Sequence, residues 1–341
     1  MRITHVVITD AFAGTERYVA AVAARQTERG HEVTVIGGSA AHMRPAVGAA
    51  TWYRATNVAT AVGRLLRAGR RDVVHTHLSA ADVSASMTTA AHRAAHVSTR
   101  HIAAPRGASV LGRLAVPLIE RTVDLEIANS SFVAAGIERR PDAVLPLGVP
   151  RSDCAYDEGS RLVVVVQRLE AEKDTGTALR AWQASGLAEQ GWSLLVAGDG
   201  AELTTLQALG GTMQQVRFAG HVDDVGALLA HAGVLLAPTP REALGLAVLE
   251  AMSYGVPVVA SAAGGHLETL PPDYPWTFPA GDAAAAGAAL RALAGDDGAR
   301  RAVSAELRDR QRADFDLEGH VDALLDVYSA ALASRRSGPA A

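Results

Sequence analysis

The second half of the chain holds two glutamates in a pattern that suits nucleotide binding. Glu242 and Glu250 are separated by seven residues and follow the apolar run Val234–Ala237. Between them, Gly245 would let a ligand approach the main chain, and the N–H groups of the helix predicted to start there would bind phosphate. Glu250, about one turn into that helix, would direct its carboxylate back toward the helix start and the hydroxyls of a ribose. A solvent-facing Glu250, favoured by the helix dipole, is the alternative.

Two cations follow a second apolar run, residues 163–166. Arg168 and Lys173 come at the carboxyl end of this predicted strand. There they would stabilise a pyrophosphate leaving group, whose negative charge grows as the bond to it breaks, and no metal ion would be needed. The alternative is that Glu170 and Glu172 pair with the two cations in an exposed cluster, which would contribute little.

Glycine turns end several predicted strands. Residues 196–200 and 218–223 would each place main chain beside a nucleotide, with Val222 in the second turn. Gly14, after the first strand, is a comparable phosphate-compatible turn in the first half, although Thr15 follows it and not a second glycine. A single glycine turn is weak evidence for a nucleotide site, so these positions support the two stronger motifs and do not replace them.

Histidines are candidates for metal binding or catalysis. His75 and His77 share one face of a predicted strand and resemble a metal pair, but helical or strand spacing offers no obvious third ligand, so we predict no metal site. His101 ends the run at residues 97–101, at the same end of its predicted strand as the other site residues, which favours a functional role. A buried structural histidine is the alternative. The single cysteine, Cys154, excludes an internal disulfide framework.

Composition narrows the class of protein. With 341 residues and 49% hydrophobic content, the chain can bury two cores. Its formal net charge of −4 gives no broad cationic surface, so we expect no nucleic acid partner. No signal-peptide pattern or spanning apolar run is evident, which predicts a cytoplasmic protein. Residues 111–119, apolar and flanked by Arg106 and Arg121, leave open a peripheral contact with the inner membrane face, although a buried helix is favoured.

Short β-rich runs alternate with alanine-rich helical segments along the whole chain, which is typical of parallel α/β architecture. The polar stretch at residues 151–160 has no periodicity and interrupts this alternation. We therefore predict two doubly wound α/β domains, with ligands at the carboxyl ends of the strands. The predicted strands lie at residues 3–8, 33–36, 73–77 and 125–128 in the first half, and at 162–166, 194–197, 216–218, 234–237 and 256–260 in the second.

These segments resemble the retaining nucleotide-sugar glycosyltransferases of family 4, which have the GT-B fold of two Rossmann-like domains facing across a cleft. The resemblance covers nearly the whole chain. Its most specific element is Glu242, seven residues and Glu250, continued by residues 251–261 and by Gly264 and Gly265. It implies an acceptor-side domain at 1–150, a nucleotide-sugar domain at 151–314, and a C-terminal helix at 315–335 that crosses back onto the first domain.

The resemblance also implies a role for each motif residue. Glu242 would lie against the transferred sugar and Glu250 would hold the ribose. The other implied contacts are Arg168 and Lys173 with the diphosphate, main chain at Gly245, Leu246 and Ala247 with the phosphates, Val222 with the base, and His101 with the sugar. The chain departs from the family pattern at Gln167 and Asp174, where glycine is usual, and at Leu147-Gly148-Val149-Pro150, which replaces Asn-Gly-Val-Asp. Gly14-Thr15 likewise replaces a double glycine. Gln167 and Asp174 predict a less open phosphate loop.

The expected reaction is transfer of a sugar from a nucleoside diphosphate sugar, with uridine favoured as the base, to a hydroxyl of a small-molecule, lipid or glycan acceptor. Retention of anomeric configuration follows from the resemblance alone. We expect no metal or other cofactor, because Arg168, Lys173 and the predicted helix start would neutralise the diphosphate and no paired-aspartate metal motif is apparent. A nucleotide-sugar epimerase of the same fold and a non-catalytic nucleotide-sugar-binding protein remain as alternatives.

Overall fold

The computed structural model describes residues 1–107 and 110–337, which form two compact units. The first unit contains Met1–Gly148 together with the C-terminal segment from Leu317, and the second is Val149–Asp316. Each has a parallel sheet with helices packed on it. The predicted pair of doubly wound α/β sheets is confirmed.

In the first unit the parallel sheet has the order β3-β2-β1-β4-β5-β6-β7. The chain winds outward from β1 in one direction and then from β4 in the other, so the switch point lies between these two strands. Ligands of doubly wound sheets bind at the carboxyl ends of the strands beside such a switch point. The strands are β1 (Arg2–Val7), β2 (Glu32–Gly37), β3 (Thr51–Tyr53), β4 (Val73–His77), β5 (Ala95–Arg100), β6 (Leu125–Ala128) and β7 (Ala143–Val144).

Helices connect these strands as crossovers. The helix after β4 ends at His92, because Arg93 adopts a left-handed conformation (φ 51°) and its N–H bonds to the carbonyl of Thr89. Ala95 then begins β5. The helices are α1 (Gly14–Glu28), α2 (Ala40–Ala46), α3 (Val58–Ala68), α4 (Ser79–His92), α5 (Val110–Thr122) and α6 (Ser131–Gly136).

In the second unit the sheet order is β10-β9-β8-β11-β12-β13, with its switch point between β8 and β11. The strands are β8 (Leu162–Val166), β9 (Ser193–Ala197), β10 (Val216–Gly220), β11 (Val234–Ala237), β12 (Val258–Ser261) and β13 (Thr277–Phe278). The helices are α7 (Thr175–Ser185), α8 (Leu203–Gly210), α9 (Val225–Ala230), α10 (Leu246–Ser253), α11 (His266–Thr269), α12 (Ala283–Ala294) and α13 (Asp297–Asp314). As expected for strands covered on both faces, β11 and β12 are buried along their whole length.

The C-terminal helix α14 (Leu317–Ser337) packs against α1 and β5 of the first unit. Its apolar stripe is buried, at Leu317, Val321, Leu324 and Tyr328. Near the start of α14, the carboxylate of Glu318 lies 2.7 Å from Arg25 in α1 and 2.7 Å from Arg29, which directly follows α1. Apolar burial thus attaches this helix to the first unit, and the ion pairs at its start lie at a partly exposed rim.

The segment considered for membrane contact forms part of α5, of which the side chains at 110–112 lie outside the described residues. Ile119 is buried, whereas Leu114 is 74% exposed. Arg106 is not available to a membrane surface, because its guanidinium is buried against Asp82 and Glu126, at 2.9 and 2.6 Å. Within residues 1–107 and 110–337, we find no helix with the length and apolar character that crossing a bilayer needs.

Candidate active site

The site predicted in the second half begins at the switch point of the second sheet. β8 ends at Val166 and β11 at Ala237, and both strands are followed by loops that carry motif residues. Because β8 and β11 are neighbours in the sheet, their carboxyl ends bring the loop at 167–174 next to the loop at 238–245. Parallel pairing therefore unites two motifs that lie far apart in the sequence.

Lys173 and Glu242 meet in this place. The Nζ atom of Lys173 lies 2.8 Å from Oε2 of Glu242, and each side chain is only 18% exposed. The other carboxylate oxygen of Glu242 accepts a hydrogen bond from the N–H of Ala243 at 3.1 Å. Burial would raise the pKa of Glu242, but the charge and hydrogen bond of Lys173 outweigh it and lower that pKa. Glu242 is therefore held as a carboxylate beside a cation.

The main chain of Glu242 is fixed by the following glycine pair. The N–H of Gly265 donates to the carbonyl of Glu242 at 2.8 Å. A Cβ atom at Gly264 (φ 57°) would lie 2.4 Å from that same carbonyl oxygen, so no larger residue fits without a shift of the backbone. This close approach explains why both positions of the motif are glycine, since the two residues pack directly on the loop that carries the glutamate.

His266 follows the glycine pair and was not singled out from the sequence. Its ring is buried, and Nδ1 lies 3.1 Å from both the hydroxyl and the carbonyl oxygen of Ser261 at the end of β12. Burial lowers the pKa of His266, and the nearby charge of Glu242 opposes that shift. Its position directly after two glycines that contact the glutamate loop is the signal that would have identified it.

Gln167, one of the departures from the family pattern, holds the phosphate loop together. Its amide Nε2 donates to the carbonyl of Lys173 and to Oγ1 of Thr175, each at 2.9 Å. Its Oε1 accepts from the hydroxyl of Thr239, after β11, at 3.0 Å. The side chain therefore links the loop at 167–174 to the neighbouring strand end, a role that glycine could not perform.

Asp174, the second departure, adopts the conformation that a glycine would take. Its φ is 48°, in the left-handed region that Asp and Asn tolerate better than most residues. Its carboxylate accepts from the N–H of Thr177 and caps the start of α7. The backbone path of a glycine at this position is thus preserved, and the substitution adds a helix cap.

Arg168 pairs with a neighbouring glutamate, as in the exposed cluster that the sequence analysis gave as the alternative. Its guanidinium donates to Glu172 at 2.9 Å, and the two side chains are 55% and 60% exposed. An exposed pair of this kind contributes little to stability. Among the described residues, no ion pair joins Arg168 to Glu242 or Lys173. The structure therefore brings Lys173 and Glu242 together and leaves Arg168 at the surface.

The start of α10 is where phosphate binding is predicted. Gly245 has a left-handed φ of 99° and precedes the first helical residue, Leu246. The first backbone hydrogen bond of the helix runs from the N–H of Leu249 to the carbonyl of Gly245. The N–H groups of Leu246 and Ala247 are therefore directed outward from the helix start. Glu250 lies in the next turn and is half-buried. Val222 is half-buried and follows β10, which lies on the other side of the switch point in the same sheet.

In the first unit, His101 lies at the end of β5 and Gly14 is the first residue of α1, so Gly14 belongs to a helix start and not to a free turn. Spacing along the chain offers His75 and His77 no third ligand, but the structure brings a third histidine from another strand. His5 on β1 is paired in register with His75 on β4, and nitrogen atoms of His5, His75 and His77 lie within 4.8 Å of one another. Spacing along one strand could not reveal His5, because the order of strands in the sheet brings it there.

Comparison with known proteins identifies the family that each half of the chain matches. A family model described as Glycosyltransferase Family 4 matches residues 12–152, and one described as Glycosyl transferases group 1 matches residues 160–296. Each match falls almost wholly within one half of the chain, and the two together span most of it.

Curated relatives match over part of their length. A glycogen synthase of Mycobacterium tuberculosis is 31% identical over 184 residues, which are 52% of this chain and 44% of that protein. A phosphatidyl-myo-inositol mannosyltransferase of Mycobacterium leprae is 30% identical over 196 residues, which are 55% of this chain and 51% of that protein. The aligned regions thus span about half the length of these relatives.

Solved structures match over nearly the whole chain. Anabaena HepE in complex with UDP-glucose has a TM-score of 0.80 at 19% identity and covers 97% of this chain and 100% of that one. A sucrose-phosphate synthase from Thermosynechococcus elongatus has a TM-score of 0.76 at 18% identity, with coverage of 97% and 99%. At this level of identity, the likeness establishes the fold.

Proposed function

Because this chain belongs to the glycosyltransferases of the family 4 type, we propose that it transfers a sugar from a nucleoside diphosphate sugar to an acceptor hydroxyl, with retained anomeric configuration. The observation that carries the proposal is the Lys173–Glu242 pair at the switch point of the second sheet. It combines a cation suited to a diphosphate with a carboxylate suited to a sugar.

The diphosphate and the sugar of the donor each have a partner in this scheme. The outward N–H groups of Leu246 and Ala247 and the ammonium of Lys173 bind the diphosphate, and their positive charge stabilises it as the sugar leaves. Glu242 accepts hydrogen bonds from the sugar and stabilises the positive charge that develops on it. A phosphate oxygen of the leaving group takes the proton of the acceptor hydroxyl, so the scheme requires no separate protein base.

The donor base in the proposal is uridine. Anabaena HepE, whose fold this chain shares, is known in complex with UDP and with UDP-glucose. The proposal extends that ligand class to this chain on the basis of the shared fold and of the helix start at Gly245. The acceptor class, a small molecule, lipid or glycan, rests on the relatives, one of which is a phosphatidyl-myo-inositol mannosyltransferase.

A panel of donors tests the proposal. Thermal shift with the diphosphates of uridine, guanosine, adenosine and thymidine identifies the base, because a ligand that binds the native state raises its melting temperature. We expect the largest shift with UDP. Turnover is then followed as release of UDP from UDP-sugars with candidate acceptors, and the anomeric configuration of the product is read by NMR. UDP release with formation of free epimerised sugar and no acceptor product would favour an epimerase instead.

The same assay tests metal independence. Lys173 and the helix start supply positive charge at the diphosphate, so we expect turnover to be unchanged by excess chelator. Loss of turnover on chelation that magnesium or manganese restores would contradict this part of the proposal. Binding of UDP in the presence of chelator, measured by calorimetry, separates a metal needed for chemistry from one needed for binding.

A further inference from the structure

A row of buried histidines crosses the sheet of the first unit. His5 on β1, His77 on β4 and His101 at the end of β5 lie in line and are all buried. Nδ1 of His5 is 3.2 Å from Nε2 of His77, and Nδ1 of His77 is 3.0 Å from Nε2 of His101. At the far end, Nε2 of His5 is 2.8 Å from Oε1 of Gln26 on α1. The four side chains form one continuous chain of contacts, which we call the histidine chain.

These contacts have the geometry of hydrogen bonds. The ring centroids are 5.5 Å apart for His5 and His77 and 5.3 Å apart for His77 and His101. With nitrogen contacts this short, such centroid distances arise only when the two rings point straight at each other. Metal binding instead requires lone pairs that converge on one ion at about 2.0–2.1 Å from each nitrogen. The nearby His75 has both ring nitrogens at 2.7 Å from hydroxyls, those of Tyr328 and Thr99.

The amide of Gln26 gives the histidine chain a direction. Its Oε1 can only accept, so the proton of His5 is on Nε2. Burial lowers the pKa of His5 to about 4 and that of His101 to about 3, so the rings are neutral near pH 7 and each carries one N–H. Nδ1 of His5 is then an acceptor, which places the proton of His77 on Nε2. By the same step, Nδ1 of His77 accepts from Nε2 of His101.

We propose that Gln26 is a positioning residue for His101, which it fixes through His5 and His77 in the Nε2–H tautomer. Nδ1 of His101 is thereby left as a hydrogen-bond acceptor, and it has no partner among the residues that the structure describes. An acceptor nitrogen receives the O–H of a sugar hydroxyl. The assignment of the tautomer stands on the contacts between neutral rings, whereas its use with a sugar rests on the proposed function.

The opposite amide orientation defines the competing state. With Nε2 of Gln26 toward His5, every hydrogen bond of the histidine chain would reverse, and Nδ1 of His101 would become a donor. Orientations of amides and tautomers of histidine are set by such networks, so a spectroscopic measurement of the tautomer decides between the two.

Nitrogen NMR of protein labelled with 15N in its histidines, at pH 8 and without ligand, tests the proposal. Two-bond couplings distinguish Nε2–H from Nδ1–H, and single His→Asn variants assign the rings. We expect the Nε2–H tautomer at His5, His77 and His101. Gln26→Met removes the acceptor, and the Nε2–H fraction of His101 should then fall because an unpaired buried N–H is costly. The Nδ1–H tautomer at His101 in the wild type, or an unchanged tautomer in Gln26→Met, would overturn the proposal.

Two further variants act as controls. Gln26→Glu keeps the shape, and its ionised carboxylate can only accept, so at pH 8 His101 should retain the wild-type tautomer. This variant and the wild type still decide the direction of the chain if Gln26→Met does not fold. Thr99→Val removes the partner of His75 on the same sheet, and it should alter the signals of His75 but not the tautomer of His101. A switched tautomer at His101 in Gln26→Glu or in Thr99→Val would overturn the direction of the chain.

Kinetics separate this inference from the proposed function. If Gln26→Met switches the tautomer and also lowers sugar transfer, with recovery in Gln26→Glu, the acceptor role of Nδ1 is supported. If the tautomer switches and transfer with UDP-sugars is unchanged, the sugar contact of His101 is wrong while the histidine chain stands. If the wild type transfers no sugar from any donor, the proposed function fails, and the NMR result still decides the tautomer.

Discussion

Glu242 and Glu250 are assigned to different parts of the donor, so their substitutions should fail in different ways. Glu250 would hold the ribose, which is present in the free nucleotide, the donor and the transition state alike. Glu250→Ala should therefore weaken UDP binding by about 1–3 kcal/mol, as expected when a buried hydrogen-bonded group loses its partner. The Michaelis constant should change more than the turnover number.

Glu242 would contact the sugar, which UDP lacks. Glu242→Gln keeps the shape and removes the charge, so turnover should fall by about 10² or more if the carboxylate stabilises the departing sugar. Because Lys173 loses its partner in this variant, its ammonium is more available to a diphosphate, and UDP affinity should not decrease.

Calorimetry with UDP and steady-state kinetics on the two folded variants measure both effects. Glu158→Gln is the matched control, since Glu158 is an exposed carboxylate of the same unit paired with Arg301 at 3.2 Å. Equal losses of UDP affinity in Glu242→Gln and Glu250→Ala would refute the division of roles.

The start of α7 shows how a helix can compensate for a lost glycine. Asp174 combines a positive φ with a side-chain cap on Thr177, so two substitutions separate the two effects. Asp174→Gly removes the cap but tolerates the backbone, which should cost a few tenths of a kcal/mol. Asp174→Ala removes the cap and keeps a Cβ in the left-handed region without the polar side chain that lets Asp tolerate it, which should cost about 2 kcal/mol.

Urea unfolding, followed by tryptophan fluorescence to which Trp182 of α7 contributes, measures this order of stabilities. Asp282→Ala provides the reference, because Asp282 caps α12 through the N–H of Ala285 without a positive φ. If Asp174→Gly is as unstable as Asp174→Ala, backbone strain does not contribute and the cap alone accounts for the loss.

The helix α14 supports a second prediction at this scale. Leu324 is fully buried, and α14 packs on α1 and β5. Leu324→Ala should destabilise the first unit by about 2–5 kcal/mol and quicken hydrogen exchange in α1 and β5. Asp326→Ala, on the exposed face of the same helix, should leave exchange unchanged. Faster exchange confined to residues 149–316 would show that the stripe stabilises a different surface.

Strands and helices with strong periodicity could be predicted from the sequence, because apolar runs such as Leu162–Val166 form buried central strands. The short edge strands β3, β7 and β13 were not predicted, since two or three residues carry no pattern. In the site, Glu242 and Lys173 could be located because each follows a strong apolar run. The order of strands in the sheet determines that Glu242 contacts Lys173 and that His5 approaches His75 and His77. Spacing along the chain does not contain that information.

The phosphate loop illustrates a second limit of sequence reasoning. Gln167 and Asp174 predict a less open loop when they are compared with glycine by size alone. In the structure, Asp174 takes a backbone conformation typical of glycine, and Gln167 bonds to Thr239 on the neighbouring strand end. The difference lies in backbone torsion and in cross-strand contacts, which residue type alone does not specify.

Across the whole molecule, buried histidines are concentrated in the first unit, and this should make its stability depend on pH. Burial lowers the pKa of His5, His96 and His320 to about 4 and that of His101 to about 3, and it also lowers the pKa of His75 and His77. In the second unit, among the described residues, a lowered histidine pKa is resolved only for His266.

The sign follows from proton uptake. An unfolded histidine has a pKa of about 6.5, so below that pH the unfolded chain binds protons that the folded first unit does not bind until about pH 4. Stability is therefore fully present above pH 6.5 and falls as the pH decreases, by about 1.4 kcal/mol per pH unit for each such histidine. Titration of the paired carboxylates does not overlap with this pH range, because Glu138 has a pKa of about 2 and keeps its charge well below the range.

Hydrogen exchange between pH 7.5 and 5.5, corrected for the intrinsic exchange rate, should show loss of protection in β1, β4 and β5 before the second unit changes. His320→Gln removes one histidine while its amide can still bond to Tyr18, which lies 2.8 Å from Nε2 of His320. In this variant the loss of first-unit stability between pH 7.5 and 5.5 should be smaller by about 1.4 kcal/mol in total, so the slope against pH decreases. Equal loss of protection in both units, or a slope that His320→Gln leaves unchanged, would mean that the buried histidines do not control the acid stability of the protein.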